Sequence, residues 1–215
     1  RIRESRIRTT RNLVDALAGA EQGSRVRLLS TSAVGYYGYA GDALLTEESP
    51  PGEDFLADLS RDWEAEALRA RKAGAGVVIL RFGVVLSDQE GALAKMVPLF
   101  RKYLGGPLGS GDQWFSWIHI EDLVGIYRFV LDHPDLEGPL NCTAPRPVRN
   151  RELTRALAGV LGKPAFMPPV PGLVIRAVLG EFGNVLLEGQ QVIPERLNRE
   201  GFDFRYPGIE GALED

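Results

Sequence analysis

Apolar positions along the chain keep two rhythms, and their alternation predicts the fold. Ile7, Thr10, Leu13, Val14 and Leu17 recur at helical spacing, so Ser5 to about Leu17 reads as an amphipathic helix. RVRLLSTSAV (25–34) is dense in apolar and β-branched residues and reads as a buried strand. A Gly/Pro/acid loop follows (38–54), then a helix from Phe55 with Leu56, Leu59, Trp63, Ala67 and Ala70 on one stripe. Asp54 suits its N-cap and Gly74 its stop. AGVVILRFGVVLS (75–87) is the strongest strand signal, a near-continuous apolar run of the kind parallel sheets bury on both faces.

Farther on, GALAKMVPLFRKYL (91–104) predicts a helix, GGPLGSGDQWFSW (105–117) a glycine-rich loop and WIHI (117–120) a short strand. EDLVGIYRFVLDH (121–133) predicts a helix with Leu123, Val124, Tyr127, Val130 and Leu131 inward, and GPLNCTA (138–144) a strand. Asn150 is the expected cap of RELTRALAGVLG (151–162), followed by a Pro-rich stretch, helical material at 173–187 and a less regular tail. Strand and helix alternation is the mark of an α/β, doubly wound parallel sheet, with crossovers long enough for right-handed connections. After Thr143 the pattern turns helical, which predicts a small C-terminal lobe.

Composition narrows the partners. The 215 residues are 44% hydrophobic and 25% charged, as in ordinary globular proteins. A net charge of -4 argues against nucleic acid or an anionic membrane as the main partner. The single Cys142 excludes an intramolecular disulfide and points to a reducing compartment, with the cytoplasm as the default. Two separated histidines and one cysteine argue against a zinc site, and no metal is expected.

The chemistry concentrates at LLSTSAVGYYGYAG (28–41), where an apolar strand ends in Ser30, Thr31 and Ser32 and then a tyrosine pair, Tyr36 and Tyr37. Open α/β sheets bind ligands beyond the carboxyl ends of their strands. A serine hydroxyl there can donate to a substrate oxygen while accepting from another group; the same hydroxyls could equally satisfy strand-end backbone. His119 reads as a structural histidine bonded to backbone, and Asp122 as support for a helix start. Trp114 and Trp117 either wall a pocket or form core.

LLSTSAVGYYG, the acidic loop, DFLADLSRDWEAEA, ILRFGVVLS, GSGDQWFSWIHIEDLV and GPLNCTAPRPVRNRELTRAL occur in one order. That order resembles the extended short-chain dehydrogenase/reductase superfamily, in its atypical, YfcH-like NAD-dependent epimerase/dehydratase branch. The resemblance implies a Rossmann-type domain (1–86 and 115–143) beside a substrate-binding lobe (87–114 and 144–215). A Gly-rich βαβ half of roughly 70–80 residues is expected ahead of Arg1. The implied cofactor is NADP(H) ahead of NAD(H), and the implied partner a small-molecule substrate, with a nucleotide sugar as the class suggested. Homo-oligomerisation is left open.

By the same resemblance Ser32 matches the residue that hydrogen-bonds the reacting substrate oxygen. Arg6, Ser30, Thr31, Arg61 and Val84 become cofactor-binding candidates. Members of the superfamily carry Tyr and, four residues on, Lys, whose charge lowers the phenol's pKa. Here ADLSR places Ala57 and Arg61 in that frame, and a slip by one puts Asp62 in the basic position. Alanine cannot carry a proton, and arginine titrates too high to act as acid or base. Tyr36 or Tyr37 could carry the proton in its place, as could water, and the pair could equally serve packing or substrate stacking; the catalytic candidates are Ser32, Tyr36 and Tyr37. The competing expectation is a cofactor-binding sensor or partner-binding protein with little or no catalysis.

Overall fold

The computed structural model describes residues 2–19, 26–89, 91–163, 169, 171–173 and 187–215. Helix α1 (Ile2–Ala18) leads to strand β1 (Arg27–Ala33), a 3-10 turn (Val34–Tyr37) and short β2 (Leu44–Leu45). Helix α2 (Phe55–Leu68) begins where Asp54 accepts a hydrogen bond from the Ala57 amide, and ends through a 3-10 turn at Gly74, φ 79°. Strands β3 (Gly76–Phe82) and β4 (Val84–Leu86), α3 (Gly91–Arg101), β5 (Trp114–Phe115), β6 (Trp117–His119), α4 (Ile120–Asp132) and β7 (Gly138–Cys142) follow. Then come β8 (Val148–Arg149), α5 (Asn150–Val160), β9 (Gln191–Val192), α6 (Glu195–Arg199) and α7 (Ile209–Glu214). Among the described residues no helix is long and apolar enough to cross a membrane.

β1, β3 and β7 form a parallel sheet in the order β1-β3-β7. Strand periodicity divides β3 between two cores. Val77 and Ile79 pack with Leu28, Val14 of α1 and Ala67 and Ala70, whereas Val78 and Leu80 pack with Leu123, Ile126 and Val130 of α4. Helices thus cover both faces, as the sequence predicts. A third core joins Leu86, Leu93, Phe100, Trp117, Leu153, Leu157, Ile209 and Leu213, from α3, α5, α7 and the β4–β6 pair.

The single apolar run 75–87 is divided at Gly83. A Cβ there would lie 2.7 Å from the Ser116 carbonyl oxygen, so only glycine lets the chain leave the three-stranded sheet for the parallel β4–β6 pair. The acidic loop is less irregular than expected. Its β2 residues Leu44 and Leu45 pair with Gln191 and Val192 of β9, a contact between segments too distant in sequence to show in local pattern.

Several local expectations are corrected. Ile126, not Val124 or Leu131, faces the core from α4; Val124 is 45% and Leu131 62% exposed. Glu152 caps α5 by accepting from the Arg149 amide at 2.6 Å, while Asn150 turns its side chain to the Leu108 amide. Asp122 holds the C-terminal tail, accepting from the Arg205 and Tyr206 amides at 2.8 and 3.0 Å. His119 does bond to backbone, accepting from the Glu121 amide at the start of α4. Most of the helical material expected at 173–187 lies outside the described residues.

Candidate active site

The site begins with a charge in an apolar strand. Arg81 is the register partner of Ser32 across β1 and β3, and both point to the α2 side of the sheet. Helix α2 answers with Glu64. Arg81 Nε donates to Glu64 Oε1 at 2.8 Å and Nη2 to Oε2 at 2.7 Å. Burial works against the Arg81 charge, but the hydrogen bonds and charges of Glu64 and Tyr37 outweigh it and raise its pKa above the usual arginine range. An arginine so paired stays protonated, and a carboxylate holding both its donors acts as an acceptor only.

That fixes Ser32. Its hydroxyl donates to Glu64 Oε1 at 2.6 Å, and the residue is 2% exposed. Its proton is therefore engaged within the protein, and the oxygen's lone pairs are what remains for other contacts.

The two tyrosines part company at the end of the strand. Tyr37 is buried; its hydroxyl accepts from Arg81 Nη1 at 2.9 Å and donates to Asn141 Oδ1 at 2.7 Å. Burial pushes its pKa up to about 12, aided by the charge of Glu47 and opposed by Arg81 and Asn141. Tyr36 is half-buried, meets Tyr37 edge-on with centroids 5.3 Å apart, and lies beneath the guanidinium, whose carbon is 3.5 Å from its ring centre. Among the described residues its hydroxyl has no hydrogen-bond partner. The turn is held from outside by Gly52, whose amide donates to the Tyr36 carbonyl.

The remaining candidates spread out. Thr31 does not share a rim with Ser32: the pleat turns it to the other face, where its hydroxyl lies 3.4 Å from that of Tyr127. Ser30 is buried in β1 on the Ser32 side. Ala57, in the frame of the family tyrosine, is fully buried in α2. Arg61 is exposed and pairs with Asp58, and Asp62 pairs with Arg3 of α1. Arg6 stands exposed with its guanidinium 5.2 Å from the Trp63 ring centre. Val84, at the carboxyl end of the sheet, is 37% exposed.

Glu64, Arg81, Asn141 and Glu47 are the polar groups the sequence reading passed over. Arg81 had a signal, since a charge inside a run such as VVILRFGVV must find a partner. Glu64 had a fainter one: with Ser60 and Ala67 it falls on the buried side of α2. Glu47 accepts from the Asn141 amide at 2.9 Å and the Arg196 amide at 3.3 Å, tying the acidic loop to β7 and α6. Burial raises its pKa, against the pull of those amides and Arg196.

The glycine-rich loop meets the acidic loop at one latch. Trp114 Nε1 donates to Asp42 Oδ1 at 2.9 Å, Arg149 Nη2 to the same oxygen at 2.7 Å, and the Arg149 guanidinium stacks 3.9 Å from the Trp114 ring centre. Trp117 is fully buried core instead.

Comparison with known proteins agrees with this architecture. Residues 1–142 match the model of the NAD dependent epimerase/dehydratase family, and residues 170–215 match a domain of unknown function (DUF1731). The chain is 46% identical over 213 residues to the chloroplastic epimerase family protein SDR39U1 homolog of Arabidopsis thaliana, covering 99% of this chain but 61% of that protein's length. It superposes on the human epimerase family protein SDR39U1 (isoform2) with NADPH at a TM-score of 0.92 and 38% identity, covering 99% of this chain and 72% of that one. The nucleoside-diphosphate sugar epimerase of Corynebacterium glutamicum gives 0.81 at 37% identity, covering 99% and 41%. With a doubly wound sheet, a polar cluster at its carboxyl end and a family model spanning most of its length, the chain belongs to the NAD dependent epimerase/dehydratase family.

Proposed function

We propose that the protein is an NADP(H)-dependent, epimerase-like oxidoreductase acting at a carbon that bears an alcohol or carbonyl, with a nucleotide sugar as the substrate class. The observation that carries this reading is the Ser32–Glu64–Arg81–Tyr36 cluster, sited where a doubly wound sheet takes its ligands. The human relative, described with NADPH, and the Corynebacterium relative, described as a nucleoside-diphosphate sugar epimerase, support the cofactor and the substrate class.

The available groups suit a nicotinamide dinucleotide: Val84 offers an exposed apolar surface at the rim, and Arg6 an exposed cation for a phosphate or ribose. Arg61 would join them only by leaving Asp58. A bound nicotinamide supplies the hydride donor or acceptor. Ser32, its proton held by Glu64, would orient the substrate by accepting from its hydroxyl. A cytoplasmic location belongs to the same proposal and rests on the lone, buried Cys142.

A second reading, a cofactor-binding protein with little catalysis, is favoured by one observation: Tyr37 is fully engaged and Ala57 has replaced the usual acid. Steady-state measurement of NADPH oxidation and NADP+ reduction by the full-length protein, across sugar nucleotides and small carbonyls or alcohols, separates the two. Turnover lost in Ser32→Ala supports the enzyme. Tight NADPH binding with no turnover on any compound selects the second reading.

A further inference from the structure

The family's tyrosine and lysine pair is replaced here by alanine and an exposed, acid-paired arginine, yet the carboxyl end of the sheet holds another phenol beside another cation. We propose that Tyr36 is the proton-exchanging residue of this site, with Arg81 as the fixed cation over its ring and Glu64 as the residue that positions Arg81. This rests on the oxidoreductase reading above.

Three observations converge. Tyr36 has a hydroxyl with no partner among the described residues, whereas that of Tyr37 both donates and accepts inside the protein. Its ring is half-buried, so solvent and ligand can reach it; Tyr37 is 3% exposed. Arg81 cannot swing away, because Glu64 takes two of its nitrogens and Tyr37 a third. A permanent charge 3.5 Å from the ring centre therefore stands ready for a phenolate.

The proton balance is simple. When a substrate carbonyl becomes an alcohol, Tyr36 Oη gives its proton to the substrate oxygen and is left as a phenolate beside Arg81; water restores the proton. In the other direction Oη takes the alcohol's proton. Ser32, its own proton held by Glu64, passes no proton in either direction.

The test uses the full-length protein and two measurements. In the first, tetranitromethane modifies tyrosines, with sites read by peptide mass spectrometry, with and without NADPH; the exposed Tyr39 and Tyr103 are internal controls. Tyr36 is expected to be nitrated and shielded by NADPH, and Tyr37 to stay unmodified. In the second, Tyr36→Phe, which removes one unbonded hydroxyl and leaves the core intact, is expected to lower kcat about a hundredfold or more. Its NADPH affinity should stay within about twofold, the loss of a hydroxyl that does no more than touch a ligand being small.

Full turnover in Tyr36→Phe overturns the proposal, as does nitration of Tyr37 with Tyr36 untouched. A wild-type protein inert towards every compound overturns the oxidoreductase reading and the proton role with it. Nitration of Tyr36 shielded by NADPH would then show that the chemistry failed and the placement held.

Discussion

Glu64 and Arg81 face each other through two hydrogen bonds of 2.8 and 2.7 Å, in a place where their side chains are 8% and 4% exposed. A pair so dry adds little over an apolar replacement, but breaking it leaves a buried charge alone. Glu64→Ala is therefore expected to cost about 3–5 kcal/mol in urea denaturation. The double variant Glu64→Leu/Arg81→Met should recover part of that loss. Strictly additive costs would show that the two residues do not act as a pair.

Tyr37 makes a prediction about alkaline pH. Its native pKa is raised to about 12, above the ordinary phenol value of 10.0. A raised value means the native state holds the proton more tightly than the unfolded chain. The stabilisation is complete below about pH 10 and is lost as pH rises towards 12. Tyr206 is raised to about 12 as well, chiefly by its bond to Asp215, so the wild-type curve alone cannot assign the loss. Unfolding midpoints measured from pH 8 to 12 should decline most steeply in wild type, and less in both Tyr37→Phe and Tyr206→Phe. Equal declines in all three would place the titrating group elsewhere.

Period and propensity made the framework of this fold legible, but the wiring of the site was not. Periodicity marks Val77 and Ile79 for one face of β3 and Val78 and Leu80 for the other, because side-chain direction follows residue parity. The same parity splits Thr31 from Ser32, so three adjacent hydroxyls never formed one rim. Which tyrosine is free depends on Arg81 and Asn141, 44 and 104 positions from Tyr37. No local pattern encodes contacts over such separations. Likewise the β2–β9 pairing and the tail held by Asp122 appear only once the chain is closed on itself.

Gly52 should matter for the tyrosine turn out of proportion to its size. A Cβ at this position would lie 2.6 Å from the Tyr37 carbonyl oxygen and 2.6 Å from the Gly38 Cα. Neither backbone atom can retreat as a flexible side chain would. Gly52→Ala is expected to cost about 1–3 kcal/mol. It should also raise the nitration of Tyr37 by loosening the turn. Gly41→Ala is the matched control: its φ of 59° is strained for alanine, but no atom lies within 4 Å of the added Cβ. It should cost about 1–2 kcal/mol and leave the nitration pattern unchanged. Equal nitration patterns in the two variants would sever Gly52 from the site.

The latch between Asp42, Trp114 and Arg149 predicts a loop whose closure depends on acid and salt. Hydrogen bonds from Arg149 and Trp114 hold the Asp42 carboxyl below its usual pKa. A depressed carboxylate contributes above its unfolded pKa, and the contribution fades as pH falls through the native value. Exposed charges are also screened by salt. Limited proteolysis within 38–46 should therefore be slow at neutral pH and low salt, and faster in 1 M salt or in Asp42→Asn. Trp114→Phe should open the same loop at neutral pH, since it removes a donor to Asp42 and alters the surface on which Arg149 lies. Cleavage equally slow in Asp42→Asn and Trp114→Phe would mean that the β2–β9 pairing alone fastens the loop.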